Sequence, residues 1–145
     1  HRCHLLRSLV SSLNSMTNAY DYVDSVLIYI DGYDRALTSS GLVNLSADDY
    51  SGWYSVYSSM SDTERTCIAP VVVNAGKASE RRQLVVCARM LTMEGCVAVT
   101  LNISHLQEII AVLRPSDNQH LYLVDGSGRC WQRQGTQARR KSCKI

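Results

Sequence analysis

The sequence contains no phenylalanine and only two prolines among its 145 residues. It also has no apolar run approaching the roughly 20 residues that a membrane-spanning helix needs. Its hydrophobic fraction of 46% is too high for a disordered chain and is sufficient for a single-domain core. Its net charge is only +2, whereas a dedicated nucleic-acid binder is strongly basic. We therefore expect one folded domain that does not bind nucleic acid.

Motifs of the common enzyme classes are missing as well. The chain has no G-x-S-x-G elbow, no phosphate-binding glycine loop, no H-E-x-x-H and no dinucleotide fingerprint. Its six cysteines form no C-x-x-C and no zinc-like Cys/His spacing, so neither a metal nor another cofactor is expected. We expect Cys87 and Cys96 to be small buried hydrophobic residues rather than a disulfide pair. A small enzyme that uses His105 or His120 as a base stays open as an alternative.

Charge is unevenly distributed along the chain. The first 125 residues carry nine basic and thirteen acidic side chains, whereas the last 20 residues carry six basic side chains and no acidic one. A terminal run of like charge is typical of a solvated linker or chain end, although it is also compatible with contact to anionic lipid or nucleic acid. We interpret residues 133–145 as a basic tail or linker.

Apolar residues in the first segment recur at spacings of three and four residues: Leu6, Leu9, Leu13, Met16, Tyr20 and Val23. These spacings place them along one seam of a helix, which we predict over residues 1–24. Two interpretations stay open. The seam packs on the sheet of its own chain, or it pairs with the helix of a partner.

The middle of the chain predicts strands and a second helix. Val26–Ile30 and Arg35–Ser40 flank the turn signal Asp31-Gly32, and a short strand over Cys67–Val73 contains Pro70, which favours an edge position. A helix from Ser46 to about Ser59 presents its aromatic residues on one broad face: Tyr50, Trp53, Tyr54 and Tyr57.

The clearest strand signal is Leu84–Met93 followed by Cys96–Ile103. A turn at Glu94-Gly95 predicts that Arg89 lies opposite Thr100. One face is then wholly apolar and is expected to pack on a helix: Leu84, Val86, Ala88, Met90, Val97, Val99, Leu101 and Ile103. The other face is mixed and lines either a ligand cavity or solvent: Cys87, Arg89, Leu91, Cys96, Ala98, Thr100 and Asn102.

A helix over Ser104–Leu113 and a last hairpin of His120–Val124 with Arg129–Gln132 complete the predicted elements. The order of strands and helices indicates an α+β fold, an antiparallel sheet with helices packed on it.

Three segments together resemble bacterial extracellular Cache sensor domains. Residues 26–57 resemble their first hairpin, with its S-x-G end and a following helix that carries a Trp-Tyr pair. Residues 67–110 resemble their next three strands and a helix, and residues 121–131 resemble a final hairpin. The resemblance covers about residues 1–132, which we treat as a single sensor domain. It is most similar to the ectodomains of membrane-anchored transcriptional regulators and histidine kinases.

The resemblance implies a PAS-like fold with a long N-terminal helix on one face of the sheet and a small-molecule pocket on the other. It further implies placement on the extracellular face of a bacterial cell membrane, with the membrane anchor elsewhere in the full-length protein. Ligand occupancy would then shift the N-terminal helix, or a homodimer formed through it, as a change in population. Amino-acid-sensing members have an Arg two residues before the Trp-Tyr pair, where this chain has Ser51.

We therefore predict a non-catalytic module that binds a small polar or weakly anionic molecule. The predicted ligand-binding residues lie on the second helix and on the mixed sheet face: Trp53, Tyr54, Tyr57, Arg89 and Thr100. Arg89 is costly among apolar neighbours unless it is paired, either with a ligand carboxylate or with an internal acid such as Asp48, Asp49 or Asp62. The alternative is a degenerate module of the same fold that only dimerises or docks a protein partner.

Overall fold

The computed structural model describes residues 2–46 and 51–113. In chain order the elements are α1 (Arg2–Asn18), β1 (Val23–Ile30), β2 (Arg35–Thr38), β3 (Gly41–Asn44), α2 (Ser51–Ser58), β4 (Thr66–Val73), β5 (Arg81–Arg89), β6 (Gly95–Asn102) and α3 (Ile103–Leu113). The predicted last hairpin, the basic tail and Tyr50 lie outside the described residues. The chain divides into two compact units, residues 1–103 and 104–145, and the first contains the whole described sheet.

The six strands form one antiparallel sheet in the order β3-β2-β1-β6-β5-β4. The two strands predicted most strongly, β5 and β6, lie side by side near its centre. As expected of a strand that contains Pro70, β4 is the outermost described strand on its side. The protein is thus α+β with an antiparallel sheet and helices, an arrangement compatible with a PAS-like fold.

Helix α2 packs against β4, β5 and β6. We call the sheet face beneath it the α2 face. Its buried core combines residues of α2 with alternate residues of the strands: Leu27, Tyr29, Ala36, Trp53, Val56, Tyr57, Met60, Val85, Cys87, Cys96 and Ala98. Several strand residues in this core are small, so the sheet leaves room for the bulky rings of α2.

The division of β5 and β6 into two faces is confirmed, but their burial is the reverse of the expectation. The mixed face is the deeply buried one, since Cys87, Cys96 and Ala98 are fully inaccessible to solvent. On the apolar face Val97 is 37% exposed. The small residues that we interpreted as lining a ligand cavity instead accommodate the protein's own aromatic side chains.

The predicted register of β5 and β6 was wrong by four residues. Arg89 pairs with Cys96 rather than with Thr100, which pairs with Val85. The reason is Gly95, which we placed in a two-residue turn. It is the first residue of β6 and pairs with Ile30, with a φ of 151°. A Cβ at this position would collide with the carbonyl oxygen of Tyr29, so only glycine allows β1 to approach here.

Helix α1 ends at Asn18, earlier than the predicted helix over residues 1–24. Val23 already belongs to β1, where it pairs with Leu101 of β6, so the last two residues of the predicted seam are not helical. The helix contacts β1 and β2, and Leu13 is buried against them at 3% exposure. Residues 4–9, in contrast, are all exposed.

The segment after Gly41 forms β3, which we did not predict as a strand. It pairs with β2 from Thr38↔Gly41 to Arg35↔Asn44 and so extends the sheet by one short strand. Gly41 has a φ of 107°, a backbone conformation that permits the tight reversal between the two strands.

Candidate functional site

Three of the predicted ligand-binding residues meet around a fourth aromatic residue, Tyr29 of β1. The Tyr29 ring centroid lies 5.5 Å from that of Trp53, 5.6 Å from Tyr54 and 5.8 Å from Tyr57. The contacts with Tyr54 and Tyr57 are edge-to-face, the geometry that aromatic quadrupoles favour. Because α2 presents three aromatic side chains to one strand residue, this cluster fixes α2 on the sheet.

Trp53 is the largest fully buried side chain among the described residues, with 1% exposure. Its indole Nε1 is buried and has no hydrogen-bond partner among the residues that the structure describes. An unpaired buried N–H costs about 1–3 kcal/mol of stability, so such a donor is uncommon in a protein core. Among the described residues, Trp53 Nε1 is the only buried side-chain nitrogen or oxygen atom without a hydrogen-bond partner.

Arg89 was expected to pair with a carboxylate of a ligand or of Asp48, Asp49 or Asp62, and of these acids Asp48 and Asp49 lie outside the described residues. Its guanidinium donates to backbone carbonyl oxygens that follow α2: Nε to Glu64 at 3.1 Å, and Nη2 to Met60 and Ser61 at 3.3 Å each. Nη1 lies 3.5 Å from the Tyr57 hydroxyl. Among the described residues, most donors of Arg89 are thus engaged by the segment that follows α2.

The Tyr57 hydroxyl donates a 3.0 Å hydrogen bond to Oδ1 of Asp31, in the turn between β1 and β2. Burial is the main reason that the pKa of Tyr57 rises to about 12, and the bond to Asp31 adds to it, whereas nearby Arg89 opposes it. Burial likewise raises the pKa of Tyr29. The hydroxyl groups of Tyr29 and Tyr57 therefore stay protonated at neutral pH and act as hydrogen-bond donors.

Thr100 lies apart from Arg89 and is 3% exposed. Its hydroxyl is 2.5 Å from that of Ser25, directly across β1 and β6. Thr100 is four residues along β6 from Cys96, the partner of Arg89, a separation of about 13 Å in a strand. The α2 face therefore has an aromatic end at Tyr29 and a polar end at the Ser25–Thr100 pair.

Two further buried polar residues belong to the polar end. Thr38 accepts a hydrogen bond from the Ser40 amide at 3.0 Å and donates to the Gly41 carbonyl at 3.1 Å. Gln83 donates at 2.7 Å to Asp24, whose carboxylate also lies 3.9 Å from Arg81. The Ser25–Thr100 pair uses only part of its capacity, because two hydroxyl groups share one hydrogen bond.

A cleft of about 510 Å³ lies at the other end of β5 and β6. It is lined by the connection between these strands and by the loop before β4: Asp62, Arg65, Arg89, Met90, Leu91, Thr92, Met93, Glu94 and Gly95. Two cations and two carboxylates leave its charge balanced, so it does not select for an anion. Of the five predicted ligand-binding residues only Arg89 lines this cleft, so the cleft is not the site around Trp53.

Three cysteines lie in a row across neighbouring strands on the α2 face. Cys67 of β4 is directly opposite Cys87 of β5, and Cys96 of β6 is diagonal to Cys87, which pairs with Ala98. Cys87 and Cys96 are fully buried, as predicted, and no disulfide joins Cys67, Cys87 and Cys96 to one another. Cys67 is half-buried and packs against the core.

The described residues contain no cluster of three or more His, Cys, Asp or Glu side chains that could hold a metal ion. Within the same residues, no helix has both the length and the apolar character needed to cross a membrane. His105 lies exposed on α3, while His120 is outside the described residues.

Comparison with known proteins finds no matching family model, no matching curated protein and no matching solved structure.

Sequence reasoning missed Tyr29, Asp31 and Ser25. Tyr29 follows the buried Leu27 by two residues in β1. Side chains two residues apart in a strand share a face, so the sequence alone was sufficient to place Tyr29 on the same face as Leu27. Asp31 was interpreted only as a turn residue, and its role as the acceptor for Tyr57 depends on a contact between residues far apart in the chain. Ser25 required the register of β1 against β6, which no local pattern specifies.

Proposed function

We propose that this chain is the ligand-sensing module of a bacterial membrane-bound signal-transduction protein, either a histidine kinase or a transcriptional regulator. In this proposal it lies on the extracellular face of the membrane, has no catalytic activity and binds one small polar molecule. The α+β architecture is compatible with the PAS-like fold of Cache sensors, and the placement outside the cell depends on the sequence resemblance.

The observation that carries ligand binding is the unpaired indole N–H of buried Trp53. A ligand atom that accepts this hydrogen bond would recover the free energy that the unpaired donor costs. The Ser25–Thr100 pair on the same sheet face offers further hydroxyl capacity. A molecule with several acceptor atoms and a compact apolar body matches these groups and the aromatic rings beside them.

Trp53 is inaccessible in this structure, so binding requires α2 to move away from the sheet. The ligand would then favour a conformation in which α2 is displaced, and it would do so only by its difference in affinity between the two conformations. Ser25 is in β1, which α1 contacts. A ligand that engages the Ser25–Thr100 pair therefore acts on the strand that supports the N-terminal helix, which supplies a route for the signal.

The test is a thermal-shift screen of small polar metabolites against the full chain. We expect at least one compound to raise Tm in a concentration-dependent way. Trp53→Phe removes the indole donor and Thr100→Val removes the buried hydroxyl, and each should weaken the response. Thr66→Val, the same change at an exposed position of β4, should leave it intact.

Direct sensing at this site is contradicted if the compounds that raise Tm do so equally in Trp53→Phe, Thr100→Val and the wild-type protein. It is also contradicted if a broad library of polar metabolites leaves Tm unchanged. Each variant is first compared with the wild type by circular dichroism, so that loss of the fold is not mistaken for loss of binding.

A second candidate function is self-association through α1, with a second copy of this chain as the partner. Its observation is the exposed apolar stripe in the first half of α1, where Leu5 is 65%, Leu6 46% and Leu9 39% exposed. Leu6, Leu9 and Met16 lie on a seam with the 3-4-3 spacing of a coiled coil, in which Leu13 is already buried on the sheet of its own chain. The residues flanking this seam carry no charge, so two copies would not repel each other there.

Sedimentation velocity over a range of concentrations tests this candidate. Leu6→Asp combined with Leu9→Asp should convert a dimer to a monomer, whereas Ser11→Asp, on the opposite side of the helix, should not. A wild-type chain that stays monomeric at high concentration would rule out this candidate while leaving the ligand site untouched.

A further inference from the structure

We propose that the cleft between the loop before β4 and the connection of β5 to β6 binds a short extended peptide by its C-terminal carboxylate and its apolar last side chain. The cleft has a volume of about 510 Å³, and ligand sites commonly measure about 300–1,000 Å³. This inference is independent of ligand binding at Trp53 and of self-association, because the cleft includes neither Trp53 nor α1.

The cleft lies where the chain of β5 continues past the start of β4. The amide of Arg89 donates to the carbonyl of Arg65 at 2.9 Å, whereas the chain just before Arg65 folds into a turn, in which the Glu64 amide donates to the Ser61 carbonyl at 3.1 Å. Because of this turn, no strand accompanies the residues that follow Arg89 on that side. The end of β5 therefore has an open side, the kind of position at which an extended peptide adds to a sheet.

Leu91 offers a backbone donor on this open side. Successive amides along a strand point in opposite directions, and the Met90 amide donates towards β6, to the Gly95 carbonyl at 3.0 Å. The Leu91 amide is therefore on the same side as that of Arg89, and no described residue accepts a backbone hydrogen bond from it. A carboxylate in the cleft can accept this hydrogen bond, as in other sites that capture the end of a peptide.

The charged side chains of the cleft divide into engaged and available ones. The guanidinium of Arg89 is engaged by the carbonyl groups that follow α2. The side chains of Asp62, Arg65 and Glu94 form no ion pair or hydrogen bond with other described residues. Arg65 is thus the available cation, and a guanidinium binds a carboxylate through two parallel hydrogen bonds. Asp62 and Glu94 are available to a cationic group elsewhere on the same ligand, so a dipolar ligand matches the balanced charge.

The backbone that carries these opposite charges is tied to the sheet. The carbonyl of Arg65 accepts from the Arg89 amide, and the carbonyl of Glu94 accepts from the Asp31 amide at 3.1 Å. Binding groups that are already positioned lose less conformational freedom when a ligand arrives. The cleft is therefore better prepared for a ligand than a pair of mobile loops would be.

Two exposed apolar side chains complete the cleft. Leu91 is 87% exposed and Met93 is 50% exposed, and both line it. Methionine adapts its shape to different apolar partners. The last side chain of the peptide would be buried against these two residues, while its main chain follows the open side of β5.

The test is isothermal titration calorimetry of the full chain with synthetic peptides. The probe is the N-acetylated tetrapeptide Lys-Ala-Ala-Leu with a free C-terminal carboxylate, for which we expect a Kd below about 1 mM. Three matched peptides each change one feature: a C-terminal amide, serine as the last residue, or glutamate in place of lysine. Each should bind about fivefold or more weakly, and free leucine should bind about tenfold more weakly.

Arg65→Gln identifies the carboxylate anchor. It should weaken the free-acid peptide by about tenfold and remove the difference between acid and amide, because both measure the same contact. Arg82→Gln, the same change at an exposed position of β5, should leave binding unchanged. The proposal is overturned if the probe does not bind at concentrations up to about 5 mM. Equal binding of acid and amide, a preference for the acid that persists in Arg65→Gln, or free leucine as tight as the peptide would each overturn it as well.

Discussion

The guanidinium carbon of Arg89 lies 5.3 Å from the centroid of the Tyr57 ring, which places a cation over the face of an aromatic side chain of α2. The same guanidinium donates to the carbonyl oxygens of Met60, Ser61 and Glu64. These carbonyl groups belong to the segment after α2, which ends at Ser58, and a charged donor forms stronger hydrogen bonds with them than a neutral donor does. Arg89 thus connects β5 to the end of α2 through both the ring and the backbone.

Replacing Arg89 should therefore destabilise the fold. We expect Arg89→Ala to lower the free energy of unfolding by about 2 kcal/mol, because several charge-assisted hydrogen bonds are lost. Arg89→Lys should recover only part of it, since an ammonium group lacks the planar fork of donors. Urea unfolding measures both. Arg82→Ala, at an exposed position of the same strand, serves as the control and should change stability by less than about 0.5 kcal/mol.

Gly52 should be required for the close approach of α2 to β4. A Cβ at Gly52 would lie 3.0 Å from Cγ2 of Val71 and 3.2 Å from its Cβ. Although alanine favours a helix over glycine by up to about 1 kcal/mol, we expect Gly52→Ala to lower stability, because Val71 blocks the space.

In a Val71→Ala background the same Gly52→Ala change should instead be neutral or stabilising. A double-mutant cycle by urea unfolding gives the coupling, which we expect to be about 1–2 kcal/mol. Additive effects of the two substitutions would show that α2 does not contact Val71 as described.

Stability should fall above pH 10 because of Tyr57. The folded protein holds the phenol protonated up to a pKa of about 12, against 10.0 for an ordinary tyrosine. The unfolded chain releases this proton first, so the contribution of Tyr57 is complete below pH 10 and is lost as the pH rises towards 12. Its size is of the order of 2 kcal/mol.

Comparison with Tyr57→Phe isolates this contribution from the other tyrosines. Near pH 7 the variant should be less stable by about 1 kcal/mol, since the hydrogen bond to Asp31 is lost. The difference between the two proteins should shrink and then reverse sign as the pH rises from 10 towards 12 in urea unfolding. A difference that stays constant across this range would contradict the buried, hydrogen-bonded hydroxyl.

The Ser25–Thr100 hydroxyl pair should show strong coupling. Either Ser25→Ala or Thr100→Val alone leaves one buried hydroxyl without its partner and should cost about 1–2 kcal/mol. The double variant should be less destabilised than the sum of the two, by about 1 kcal/mol, because both polar groups are then absent. Thermal or urea unfolding of the four proteins measures the coupling.

The sequence predicted most of the strands because their alternation and turn residues are local features. The two faces of β5 and β6 came out correctly, since a shift by an even number of residues preserves which side chains share a face. The register itself was wrong because Gly95 has two structural uses. In the sequence it resembles a turn glycine, while in the fold it serves the close approach of Tyr29.

Only the α2 residues of the candidate site could be predicted to lie together from the sequence. Trp53, Tyr54 and Tyr57 share a helix face, and that spacing is visible in the sequence. Whether small residues such as Ala98 leave room for a ligand or for the protein's own rings depends on the distance between helix and sheet. The helical and strand periods of the sequence carry no information about that distance. The partners of Arg89 were unpredictable for a related reason, because they are backbone carbonyl groups and have no sequence signature.

Pro70 has a consequence for how copies of this protein can meet. The amide of Arg89 donates to the carbonyl of Arg65 at 2.9 Å, and bonded pairs alternate along antiparallel strands. Pro70, opposite Leu84, is therefore at a non-bonded position, and its nitrogen points away from β5. An incoming strand would find no donor there, so neighbouring molecules are discouraged from continuing this sheet into a fibre along that border.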